Sequence, residues 1–95
     1  MNPLKVKYSR KALKFLSKQE KATVLRIRYA IDGLTKVPPV GDIKPMQGYH
    51  DGTMRLRVGG FRILYNYSSE IDNNRKENVE ILLIMEIGNR GDIYK

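Results

Sequence analysis

The amino-acid sequence predicts an α+β domain of order β-α-α-β-β-β, in which two N-terminal helices pack on one face of a mainly antiparallel four-stranded sheet. Three features lead there. Apolar residues recur at helical spacing only between residues 9 and 34. Alternating residues flank Gly59-Gly60, and an apolar run, Ile81 to Met85, lies near the C-terminus. With 95 residues and 41% hydrophobic content, the chain fits one domain, residues 1–95.

Leu4 to Tyr8 (LKVKY) alternates apolar and basic residues, as a strand with one solvated face does. Ser9 then caps a short helix running to Leu16, with Ala12, Phe15 and Leu16 on its inner side. Ser17-Lys18-Gln19-Glu20 has the S-x-x-E pattern of a capping box, so a second helix is expected from Lys18 to about Asp32. Val24, Ile27, Ile31 and Leu34 give it an inner stripe, and Gly33 supplies a stop. Thr35 to Asp51 contains three prolines and two glycines and reads as an irregular loop. Strands follow at Thr53–Val58, Phe61–Ser68 and Asn78–Ile87, the last two joined by a long polar link, SEIDNNRKEN. The uninterrupted apolar middle of the last strand fits a position covered on both faces.

Gly59-Gly60 between two strands signals a two-residue turn of the primed type, because glycine tolerates the positive φ it requires. The turn fixes the register: Val58 opposes Phe61, Arg57 opposes Arg62, Leu56 opposes Ile63 and Arg55 opposes Leu64. Met54, Leu56, Val58, Phe61, Ile63 and Tyr65 then share the face under the helices. Arg55, Arg57 and Arg62 share the other. Like charges directly opposite each other cost a few tenths to about 1 kcal/mol. Either an anion occupies that face, or Glu80 and Glu86 of the adjacent strand neutralise it. Only arginine is used there, although lysine is plentiful elsewhere, and the planar guanidinium fork suits bidentate phosphate contacts.

The net charge is +8, and its distribution is uneven. Residues 1–36 hold ten Lys/Arg against Glu20 and Asp32, whereas residues 37–95 hold eight of each sign. Lys11, Lys14, Lys18, Lys21 and Arg28 give the predicted helices a basic exterior, which attracts a polyanion. Cysteine is absent and His50 is the only histidine, which excludes disulfides, thiolate chemistry and zinc sites built on those residues. No run approaches the length of a membrane span, so a cytoplasmic protein without metal or cofactor is expected.

Three segments carry a resemblance: Met46-Gln47-Gly48, the block Arg55 to Tyr65 (RLRVGGFRILY), and Ile87 to Tyr94 with its I-G-x-R-x-x-x-Y spacing. In these the chain resembles the RelE/ParE toxin superfamily of bacterial type II toxin–antitoxin systems, over nearly its whole length. The resemblance implies a RelE-like fold and a metal-independent endoribonuclease that cuts mRNA in the ribosomal A site. It implies catalytic positions at Arg55, Arg62, Arg90 and Tyr94, and RNA binding by Arg57 and by Lys11, Lys14, Lys18, Lys21 and Arg28. The implied partners are a cognate antitoxin, forming a hetero-oligomer with a chain that is monomeric when free, and the 70S ribosome with its mRNA. A ParE-like inhibitor of DNA gyrase and a catalytically silent module binding RNA or antitoxin are the alternatives.

Overall fold

The computed structural model describes residues 4–46 and 52–89. The elements are β1 (Leu4–Tyr8), α1 (Arg10–Ser17), α2 (Lys21–Asp32), a 3-10 turn (Gly33–Thr35), β2 (Asp42–Pro45), β3 (Met54–Val58), β4 (Phe61–Asp72) and β5 (Glu77–Asn89). They form one five-stranded sheet in the order β1-β5-β4-β3-β2. β1 runs parallel to β5, and the other pairs are antiparallel. The expected four-stranded sheet is therefore corrected to a five-stranded mixed one, still α+β. The extra strand, β2, lies in the segment expected to be irregular. It has only four residues, DIKP, and its ladder partner is β3. A strand this short carries too little alternation to show in sequence.

α1 begins as expected. Ser9 is extended (φ −63°, ψ 161°), and its Oγ accepts from the Ala12 amide at 3.0 Å. The same hydroxyl donates to the Met85 carbonyl at 2.6 Å, tying the helix start to β5. Ser9→Ala loses both bonds, so a loss of about 1–2 kcal/mol is expected. Urea denaturation of the two proteins measures it.

The capping box does not form. Ser17 closes α1 instead, its Oγ donating to the Lys14 carbonyl at 2.7 Å, and the N-cap of α2 is Glu20 without a side-chain cap bond. Gly33 is not left-handed either, at φ −59°. Its lack of a side chain serves packing, because a Cβ there would lie 2.8 Å from the Val40 carbonyl oxygen. Gly33 also accepts from the Val40 amide at 2.9 Å, which folds the following loop back on the helix end.

The core lies between the helices and one face of the sheet. Ala12, Leu16, Ile27, Ile31 and Leu34 meet Leu56, Val58, Ile63, Tyr65, Leu82, Ile84 and Ile87, all buried. Phe15 and Phe61 pack edge to face with centroids 6.0 Å apart, joining α1 to the hairpin. Leu25 and Tyr29, adjacent to the inner stripe of α2, are exposed.

β4 and β5 run further than the sequence indicated, leaving a turn of only four residues, Asn73 to Lys76. The Asp72 carboxylate accepts from the Asn74 amide at 3.0 Å, and Lys76 adopts φ 53°. On the face away from the helices, Lys7 and Glu70 join at 2.6 Å across β5. The register sets this bridge over Ile81, which is buried, so its long stems shield apolar surface. On that face of β5 Val79 and Ile81 are buried whereas Leu83 and Met85 are half-buried, so the apolar run is fully covered only on the helix side.

Candidate nucleic-acid interface

The hairpin register is the one the turn demanded, with Val58↔Phe61, Arg57↔Arg62, Leu56↔Ile63, Arg55↔Leu64 and Met54↔Tyr65. Gly59 has φ 57°, and Gly60 is not positive, which matches the primed turn with glycine at its first central position. Arg55, Arg57 and Arg62 accordingly share the face opposite the helices.

They are not equivalent there. Arg57 and Arg62 are half-buried, with their charges on directly opposed positions. Arg55 is 5% exposed, and its Nη2 lies 3.5 Å from Oδ1 of Asp42 on β2. The expected row of three exposed guanidiniums thus reduces to two, with the third serving as a buried, paired anchor between strands. The neutralising carboxylate also differs from expectation. Glu80 lies on the helix-facing side, since Ile84 and Leu82 of the same alternation are in the core. Glu86 lies opposite Leu64 on the arginine face but is bound by Lys11 Nζ at 2.7 Å. Asp42 was missed because the strand that carries it was missed.

Lys14, Lys21 and Arg28 are exposed on the helices and Lys18 is exposed in the link between them, whereas Lys11 is engaged with Glu86. Arg90 and Tyr94 lie outside the described residues. Among the described residues no group of three or more His, Asp or Glu side chains is placed to hold a metal ion, and no helix is long and apolar enough to cross a membrane. An open groove of about 900 Å³ lies elsewhere, lined by Leu34, Val37, Tyr67 and Glu80 among others.

Behind the arginine face, Tyr65 is 1% exposed and its pKa is raised to about 12. Burial is the main cause and the neighbouring Tyr67 adds to it, while the Arg55 guanidinium opposes it. Tyr67 is also raised by burial, and its hydroxyl donates to the Leu34 carbonyl at 2.9 Å. A raised folded-state pKa means that the protonated phenol is favoured by folding. The stability it contributes is complete below about pH 10, where the unfolded phenol titrates, and is lost as pH rises towards about 12. Alkaline unfolding followed by circular dichroism should therefore begin above about pH 10, and Tyr65→Phe should flatten that dependence. An unchanged alkaline profile in the variant would contradict the burial argument.

No family model and no curated protein matches the chain. Solved structures do. The toxin–antitoxin complex RelBE2 from Mycobacterium tuberculosis contains a chain of TM-score 0.62 and 23% identity, covering 93% of this chain and 99% of that one. The RelB–RelE antitoxin–toxin complex from Methanococcus jannaschii gives 0.61 and 22%, covering 92% and 93%. Identity this low shows a shared fold and nothing finer, because one fold hosts many activities. Both structures are moreover complexes of an antitoxin with a toxin. The identification of this chain with the RelE/ParE toxins is therefore corrected: what it shares with these complexes is a backbone arrangement, and that arrangement does not single out the toxin.

Proposed function

We propose that the chain is one component of a type II toxin–antitoxin pair and that its arginine face binds RNA phosphates and promotes metal-independent cleavage of the strand. The fold of the two complexes supports the first part. The second rests on one observation, the direct opposition of Arg57 and Arg62 on the sheet face away from the helices. A phosphate between the two guanidiniums would turn a repulsive pair into two charge-assisted contacts.

The chemistry that suits such a face is attack of a ribose 2′-oxygen on the adjacent phosphorus with departure of the 5′-oxygen. This leaves a cyclic phosphate or its opened product. Negative charge grows on the non-bridging oxygens during that step, and a fixed guanidinium beside them lowers its barrier. The basic exteriors of α1 and α2 add sequence-independent attraction to RNA, which suits mRNA held on a cytoplasmic ribosome.

Purified protein added to translating ribosomes carrying a defined mRNA should cut it in the A site; intact mRNA would remove the enzymatic reading. Expression of the chain alone should arrest growth. Normal growth, combined with relief of an arrest caused by the partner protein, would assign it the neutralising role in the pair instead.

A further inference from the structure

Arg26 is exposed on α2, yet its guanidinium rests on the hairpin turn. A Cβ placed on Gly59 would lie 2.5 Å from Nη2, 3.1 Å from Cζ and 3.2 Å from Nη1 of Arg26. Glycine at this position therefore serves two ends, the positive φ of the turn and the approach of a cation from the helix side. Arg26 has no ion pair or hydrogen bond among the described residues, and neither has Arg57. Gly60, the second residue of the turn, has open space where a side chain would be.

The two unpaired guanidiniums stand on opposite sides of a two-residue tip. Arg57, on β3, is two residues before Gly59, roughly 7 Å away along the extended backbone, so both cations flank the same turn. We infer that the hairpin tip is a phosphate clamp, in which Arg26 from the helix side and Arg57 from the sheet side each hold a phosphate of a single RNA strand crossing the Gly59-Gly60 turn. The clamp joins the basic exterior of the helices to the arginine face, making one anionic track of what are otherwise two separate patches. It rests on the RNA reading proposed above and adds a residue, Arg26, that neither composition nor hairpin pattern indicated.

The test is binding of a labelled single-stranded RNA oligonucleotide to the full chain across a range of NaCl concentrations. Arg26→Ala and Arg57→Ala should each weaken binding several-fold and reduce the slope of log K against log salt by about 0.7, the value for one lost phosphate contact on a single strand. The double variant should lose about twice that, and Arg26→Lys should keep the slope of the parent. Arg26→Ala should also keep the parent's thermal midpoint, since it removes no ion pair. Wild-type affinity and slope in Arg26→Ala would overturn the clamp. Ribosome cleavage by the parent separates the two claims. Loss of slope in Arg26→Ala with no cleavage by the parent leaves the clamp and removes the enzyme, whereas cleavage with an unchanged slope removes the clamp alone.

Discussion

Arg62→Gln is expected to lower RNA cleavage by about 100-fold or more, the range found when a preorganised donor to a developing oxyanion is removed. The substitution keeps a polar side chain with an NH2 donor but deletes the charge and the guanidinium fork. Arg62 is half-buried on β4 directly opposite Arg57, and the turn at Gly59 leaves the pair no other register. Loss of activity should come with a native circular dichroism spectrum, because removing one of two directly opposed like charges relieves a repulsion of up to about 1 kcal/mol in the sheet. Cleavage at the parent rate would show that the arginine face does not carry the chemistry.

Leu82→Ala should have the largest effect on stability. Leu82 is fully buried in the middle of β5, on the face that meets the helices, between β1 and β4. Both neighbouring strands fix the backbone, so the site cannot collapse around a smaller side chain. The cavity and lost transfer energy cost about 2–5 kcal/mol. A domain of this size has about 5–15 kcal/mol in total. The thermal midpoint should therefore fall by about 10–30 °C, at 4–8 °C per kcal/mol. A fall of only a few degrees by calorimetry would mean that the strand is less tightly held than its burial indicates.

The sequence disclosed the parts whose cause is local. Gly59-Gly60 determined the turn, the turn determined the register of β3 and β4, and the register put Arg57 across from Arg62. Ser9 as a helix cap is local in the same sense. What stayed hidden depends on distant partners. β2 exists as a strand through its ladder to β3, and the residue most important to Arg55, Asp42, is visible only once that ladder is known. The parallel pairing of β1 with β5 follows from the path of the chain over the helices, which no alternation in Leu4–Tyr8 can express. The S-x-x-E pattern at Ser17 failed because the hydroxyl found a nearer acceptor, the Lys14 carbonyl in the preceding turn. Arg26 carried no signal at all, since its role depends on α2 lying beside the hairpin tip.

Arginine use on the hairpin was legible as an anion-binding pattern, but burial decides which of those arginines are available. Arg55 differs from Arg57 by one alternation step and has a different role, because its neighbours Thr53 and Leu64 are buried with it. Charge pattern alone gives all three the same weight.

The most direct measurement is an NMR titration of the labelled protein with single-stranded RNA, following backbone amides and arginine Nε–Hε groups. Binding at the proposed face predicts that Arg26, Arg57, Gly59, Gly60 and Arg62 shift together and saturate at one affinity that weakens with salt. Shifts confined to the groove of Leu34, Val37 and Tyr67, with the hairpin tip unmoved, would contradict it.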